Sequence, residues 1–227
     1  MRYDAVFLDV DGTLLWVDLD VGGYVEDLAP YAAGGSLTVE RATRPVWEGL
    51  RRHIEENIEH RTPEDLAGFK RRNAEVTAGQ LGIEAPTEVL TRVAQRRISF
   101  NPYPQSEAVL RRLRGMGLGL YIVSNWDLEL VEVLEELGWM RYFDGVVVSA
   151  VLGVEKPDPR LFEEALEVSG VDKDRAVHVG NDPVADVRGA AEAGIATVLV
   201  DRRGDAEAPG ATFVIRGLGE LPDLLGG

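Results

Sequence analysis

Asp9-Val10-Asp11-Gly12-Thr13 sets two carboxylates two residues apart, directly after the apolar run Ala5-Val6-Phe7-Leu8. In a tight loop such a pair can divide labour. One member stays ionised as nucleophile or metal ligand, and the other keeps a proton for a leaving group. Gly12 permits the turn, and Thr13 offers a hydroxyl and an N–H to an anion; an ordinary Asp-Gly turn is the plainer reading of the same residues. Val123-Ser124-Asn125 offers neutral donors to a phosphoryl oxygen, or alternatively a cap opening a helix from Trp126. Glu155-Lys156-Pro157-Asp158-Pro159 holds one of only three lysines, against 21 arginines. A lysine kept in an arginine-preferring chain marks a place where an ammonium is wanted rather than a guanidinium fork. Fixed in a proline-rich loop, it would stabilise charge on a nucleophile and a phosphoryl group. In His178-Val179-Gly180-Asn181-Asp182-Pro183-Val184-Ala185-Asp186, the spacing puts Asp182 at a helix N-cap and Asp186 in the first turn. Both then approach one point, and oxygen ligands of this kind suit a hard cation such as Mg²⁺. His178, among apolar neighbours near a strand end, reads as a structural side chain, while His53 and His60 have no evident carboxylate partner, so histidine-based chemistry is not expected.

These residues need elements to present them. Ala5–Leu8, Leu118–Val123, Val146–Val148, Ala176–Val179 and Ala196–Val200 are apolar runs without alternation, as in strands buried on both faces. Asp158-Pro159 and Asp182-Pro183 are N-cap and N1 signals, for helices running to about Ser169 and to Gly194. Strand alternating with helix predicts an α/β fold with a doubly wound, Rossmann-like parallel sheet. In such sheets ligands bind outside the carboxyl ends of the strands, where all four clusters lie. Residues 15–100 break the rhythm: stretches 38–58, 62–82 and 87–98 look helical, with no buried strand between them. This predicts an all-helical cap domain over 15–100 inserted into a core domain of 1–14 and 101–227. The glycine pairs 22–23 and 34–35 would let the near edge of the cap hinge.

Composition narrows the chemistry. The chain has 39 acidic and 24 basic side chains, a net charge of −15, and no cysteine. Thiolate metal sites, iron–sulfur clusters, disulfides and a cysteine nucleophile are excluded. A pI near 4.6 argues against nucleic acid and anionic membranes as partners. Met1-Arg2-Tyr3-Asp4 runs straight into the first strand with no basic or long apolar leader, and no apolar run is long enough to cross a bilayer, so a cytoplasmic protein is expected. The cap carries 14 acidic and 11 basic residues and the core 25 and 13, so the acidic excess sits in the core.

The ordered set of carboxylate pair, Ser124, Lys156 and second carboxylate pair resembles the haloacid dehalogenase-like hydrolase superfamily, over nearly the whole chain. The resemblance implies phosphoryl transfer through an aspartyl-phosphate. Asp9 would attack phosphorus, and Asp11 would act as acid and then base. Ser124 and Lys156 would hold phosphoryl oxygens with Asn125 and Thr13 in support. Mg²⁺ would be held by Asp9, Asp11 and the last acidic cluster. The family often has Asp after the glycine of the last motif. Here Asn181 precedes Asp182, which leaves open whether Asn181, Asp182 or Asp186 contacts the metal. The presence of Asp11 points to phosphate esters, since the family's dehalogenases lack that second aspartate. The expected activity is that of a phosphatase acting on a small phosphorylated metabolite. A phosphomutase, a 2-haloacid dehalogenase and a non-catalytic binding module are the alternatives. Specificity is expected from the cap and the segment 14–18, with Trp16, Tyr24 and Trp47 either lining the site or packing in a core.

Overall fold

The computed structural model describes residues 2–207 and 209–227, in which eight strands follow one another. They are β1 (Ala5–Leu8), β2 (Leu15–Leu19), β3 (Ile98–Pro102), β4 (Gly119–Ser124), β5 (Gly145–Val148), β6 (Ala176–Gly180), β7 (Ala196–Val200) and β8 (Phe213–Ile215). The chain forms two units, one of Met1–Trp16 with Asn101–Gly227 and one of Val17–Phe100. Among the described residues, no helix is long and apolar enough to cross a membrane.

The first unit is built on a six-stranded sheet in the order β5-β4-β1-β6-β7-β8, parallel throughout. β1 and β6 are fully buried along their lengths, which explains why they read as unbroken apolar runs. From β1 the chain goes first to β4 on one side and later to β6 on the other. The strand order therefore reverses at β1, and the crevice outside its carboxyl end is the expected ligand position. Helix Pro159–Ser169 packs Leu161, Phe162 and Ala165 against Ala5, Phe7 and Val123. Asp158 caps this helix by accepting from the Arg160 amide at 3.0 Å. The helix expected from Trp126 begins only at Leu130, because Asp127 turns inward and accepts from the Glu129 amide at 2.9 Å. β8, three residues at the sheet edge, is too short to leave a periodic signal.

The second unit has its own core, formed by Val21, Tyr24, Leu28, Ala42, Val46, Ala78, Leu81, Leu90 and Val93 among others. Helices Val39–Glu56, Pro63–Leu81 and Thr87–Arg96 lie where the sequence places them, with Thr38 and Thr62 as N-caps and Gly82 in the left-handed conformation at φ 67°. Two features correct the sequence reading. Gly22 and Gly23 do not form a hinge: they lie in helix Val21–Leu28, where Asp20 accepts from the Gly23 amide at 2.8 Å. Arg97 pairs with Asp20 at 2.7 Å and with Asp27 at 2.8 Å, tying the start of that helix to the end of the unit. The insertion is also not purely helical, since β2 and β3, which bound it, pair as a two-stranded sheet. Tyr24 is core packing, 3% exposed, with its phenol pushed up to about 12 by burial. Trp16 and Trp47 are exposed.

Candidate active site

β1 ends at Leu8, and the Asp9 amide still donates to the Val179 carbonyl at 3.0 Å, so Asp9 continues the sheet while its side chain emerges at the edge. Beyond it the chain turns back sharply. The Val10 carbonyl accepts from Thr13 and Leu14, at 3.2 and 2.8 Å, and Gly12 takes φ 75°. A Cβ at Gly12 would run into the Asn181 carboxamide, so glycine is required there both by conformation and by close approach.

Four of the sequence-predicted side chains, Asp9, Ser124, Lys156 and Asp186, form one hydrogen-bonded cluster. Lys156 Nζ donates to Asp9 Oδ1 at 2.7 Å and to Asp186 Oδ1 at 2.6 Å. Ser124 Oγ donates to the same Asp9 oxygen at 3.2 Å. All four are buried, with relative exposures of 6% for Asp9, 4% for Lys156, 2% for Asp186 and 1% for Ser124. Water does little here to screen charge, so each ionisation depends on its neighbours. Burial pushes the Asp9 carboxyl up to about 6 against the pull of Lys156, with the nearby charge of Asp186 adding to the rise. Burial also opposes ionisation of Asp186, but Lys156 and a hydrogen bond from His178 outweigh it and hold that carboxyl well below the usual range. Burial alone would lower the Lys156 ammonium; the two carboxylates reverse this and raise it above its ordinary value.

His178 is structural, by a specific contact. Its Nε2 lies 2.9 Å from Asp186 Oδ1, and burial shifts the ring toward neutrality. An ionised carboxylate can only accept, so the proton sits on Nε2, and Nδ1 is left buried without a partner. Gly180 makes room for this arrangement, because a Cβ there would strike the Asp186 carboxyl.

Two predicted residues take other roles. Asn125 is exposed, and its carboxamide is bonded on both sides to one residue. Its oxygen accepts from the Lys156 amide at 2.7 Å and its nitrogen donates to the Lys156 carbonyl at 3.0 Å. It therefore fixes the lysine's main chain. Asp182 does not converge with Asp186: it is exposed and accepts from the Val184 and Ala185 amides at 2.7 and 2.8 Å, capping the π-helical turn Pro183–Arg188. Its own amide donates to Asp186 Oδ2 at 2.9 Å. Elsewhere, His60 does have a carboxylate partner, Asp65 Oδ2 at 3.0 Å from Nδ1, which its sequence spacing concealed.

The residues also bear on a metal. Among the described residues no three His, Asp or Glu side chains form a ready-made cage. A mixed oxygen set is present instead. One terminal atom of the Asn181 carboxamide lies 2.8 Å from the Asp11 carbonyl oxygen, 3.0 Å from Thr13 Oγ1 and 3.3 Å from Asp9 Oδ2. With nitrogen in that position the amide donates to all three. With oxygen there, the Asp9 carboxylate, the Asp11 carbonyl and the Asn181 carboxamide would present an all-oxygen set, a donor chemistry that fits Mg²⁺. Asp11 itself is exposed at the turn.

Arg202 is a member of this neighbourhood that the sequence reading did not single out. It follows β7, and its guanidinium bonds the Gly12 carbonyl and the Thr13 carbonyl, the latter at 2.8 Å. Its place just beyond a core strand's carboxyl end was the available signal.

The chain is similar to known proteins along most of its length. A family model described as haloacid dehalogenase-like hydrolase matches residues 3–194. Glyceraldehyde 3-phosphate phosphatase of Methanothermobacter thermautotrophicus is 33% identical over 209 residues, 87% of this chain and 85% of that protein. Phosphoserine phosphatase of Thermus thermophilus is 37% identical over 142 residues, 62% of this chain and 57% of that protein, so the match spans little more than half of that relative. Among solved structures, 2-haloacid dehalogenase from Pseudomonas syringae pv. Tomato DC3000 has a TM-score of 0.66 at 25% identity, covering 99% of this chain and 98% of that one.

Proposed function

Because the chain belongs to the haloacid dehalogenase-like hydrolases, we propose that it is a Mg²⁺-dependent, cytoplasmic phosphatase that hydrolyses small phosphomonoesters through an aspartyl-phosphate on Asp9. The observation that carries this reading is the pairing of a buried Asp9, held by Ser124 and Lys156, with an exposed Asp11 two residues on. A carboxylate oxygen of Asp9 forms the new bond to phosphorus as the ester P–O bond breaks. Asp11 gives its proton to the departing alkoxide. Water then attacks the same phosphorus, Asp11 takes a proton from it, and the Asp9–phosphorus bond breaks to release phosphate. Lys156 and Ser124 turn from Asp9 toward the phosphoryl oxygens as the negative charge moves onto them. Asp186 and His178 hold the lysine from behind, and Asn125 holds its main chain. Asp9, the Asp11 carbonyl and the Asn181 carboxamide oxygen would hold the Mg²⁺, with Asp182 outside the set. Bound there, the metal supplies Lewis-acid stabilisation of the transferring phosphoryl charge.

The relatives named phosphoserine phosphatase and glyceraldehyde 3-phosphate phosphatase support small phosphorylated metabolites as the substrate class. The net charge of −15 weighs against a nucleic acid or an anionic membrane as partner. A 2-haloacid dehalogenase is the second reading, favoured by the structural likeness to one. It leaves Asp11 without a task, since halide needs no proton to depart. Turnover of p-nitrophenyl phosphate and of a phosphometabolite panel, with Mg²⁺ and with chelator, tests the proposal. Metal-dependent phosphate release that disappears in Asp9→Asn is expected. Halide release from 2-haloacids without phosphatase turnover would replace this reading with the second, and transfer between sugar positions outrunning phosphate release would mark a phosphomutase.

A further inference from the structure

Arg202 sits 190 residues from Gly12 in the chain, yet it bonds two successive carbonyls of the turn that carries Asp11. Its presentation is built. Asp201 is 7% exposed and accepts from the Gly204 amide at 2.8 Å and from Arg216 Nη1 at 2.6 Å, which fixes the loop after β7. The guanidinium carbon lies 3.7 Å from the centre of the Tyr103 ring, so the cation is stacked on an aromatic face. Tyr103 is anchored in turn, donating its amide to the Leu14 carbonyl at 3.1 Å and meeting the Trp16 ring at 5.1 Å. Among the described residues Arg202 forms no ion pair with a carboxylate, in a unit that is strongly acidic. Among the described residues its hydrogen bonds go to the turn, and its face goes to Tyr103.

We propose that Arg202, braced on Tyr103, is a positioning residue for catalysis: it clamps the Gly12 and Thr13 carbonyls and so sets the geometry of Asp11 relative to Asp9. The proposal rests on the phosphatase reading for its kinetic consequence but not for its structural one. Two carbonyls held by one planar fork cannot rotate independently, which leaves the turn a single conformation for presenting an acid to a leaving group. Lysine, a point charge with no fork, cannot hold both in the same way. A displacement of Asp11 by about 1 Å is enough to lower turnover about 10²-fold.

The test uses the full chain and the variants Arg202→Ala, Arg202→Lys and Tyr103→Leu. For both Arg202 variants kcat is expected to fall about 10²-fold with KM changed less than about threefold. Tyr103→Leu should fall less, in the same direction. Added guanidinium ion should restore part of the activity of Arg202→Ala, which a merely structural defect would not allow. Amide exchange at Thr13 and Leu14 should quicken in the Arg202 variants, and Arg202→Lys carries this measurement should the alanine protein fail to fold. Unchanged exchange at these amides overturns the clamp, and unchanged kcat in an active enzyme overturns its catalytic role. A wild-type protein inert toward every phosphomonoester would instead retire the phosphatase reading, with the exchange data still deciding the clamp.

Discussion

The loops after β1 and β6 each carry two aspartates, and in each loop one is buried and the other exposed. Their uses diverge. After β1 the buried Asp9 receives Ser124 and half of Lys156, and burial wins, raising its carboxyl to about 6. After β6 the buried Asp186 receives Lys156, His178 and the Asp182 amide, and these partners win, holding it ionised far below the usual range. The exposed members differ likewise: Asp11 stands on a turn gripped by Arg202, while Asp182 is committed to two helix amides. Both carboxylates are buried, and what separates them is how many partners answer that burial: too few at Asp9, enough at Asp186.

The sharpest way to break that contrast is Asp9→Asn. Turnover should fall by about 10⁴-fold or more, as expected for loss of a nucleophile. Stability should move the other way. A folded-state value raised from 3.8 to about 6 means that the fold prefers the protonated acid. Its contribution is favourable below the unfolded value and is lost as pH rises to about 6, so above that the ionised group costs up to about 3 kcal/mol. In chelator at pH 8, urea unfolding should show Asp9→Asn no less stable than wild type, with any advantage shrinking between pH 6 and pH 4. A clear loss of stability at pH 8 would mean that Lys156 dominates Asp9 after all.

Next in size is Asp11→Asn, for which loss of general acid–base catalysis costs about 10²–10⁴-fold in kcat. The loss should be smaller for p-nitrophenyl phosphate than for an alkyl phosphate, because nitrophenolate needs less help to leave. Equal losses on both esters would remove Asp11 from the acid role.

Asp186→Asn should act first on the fold. Unlike Asp9, Asp186 is held ionised by Lys156, His178 and the Asp182 amide, so its loss breaks a net favourable buried pair and costs about 3–5 kcal/mol, readable as a lower urea midpoint. Because the Asp186 carboxyl is depressed, its stabilisation is full above its unfolded value of 3.8 and is lost only as pH falls through the lower folded one. The variant and wild type should therefore converge in acid, the opposite trend to the Asp9 comparison.

Smallest is Asp182→Ala, which removes a helix cap worth about 1 kcal/mol and should leave kcat and Mg²⁺ dependence unchanged. A weakened Mg²⁺ dependence in this variant would return Asp182 to the metal site.

The sheet was readable because its strands are buried on both faces, and composition alone then distinguishes them from surface segments. β1 and β6 are the clearest cases. β2 was hidden by its position: Leu15-Trp16-Val17-Asp18-Leu19 alternates, but it runs directly out of the turn that follows Asp9 and pairs with β3 far along the chain. Helix Val21–Leu28 was hidden by Gly22-Gly23, whose poor propensity is overridden by the Asp20 cap and by burial of Val21, Tyr24 and Leu28. The types of the site residues were legible, but their partners were not. A carboxamide such as Asn125 satisfies a phosphate or a main chain equally well by its chemistry, and only the fold brings the Lys156 peptide alongside it. Asp182 and Asp186 are neighbours in the sequence, yet the helical turn sends one outward to cap and the other inward to Lys156. His60 and Asp65 meet across a break between helices, where no regular spacing applies.

The place of β1 in the sheet also governs how the enzyme comes into being. Ala5 pairs with Gly119 on one side and with Ala176 on the other. The strand that carries Asp9 to the sheet's edge thus gains one neighbour from β4 and the other only from β6, much later in the chain. Contacts so distant in sequence make for slow folding. Before β6 has emerged, the Asp9 loop lacks the strand beside it and the Asp186 that pairs with Lys156, whatever the helical unit has done by then. In refolding, the return of turnover would time the closing of the sheet's centre, separately from the earlier return of helix.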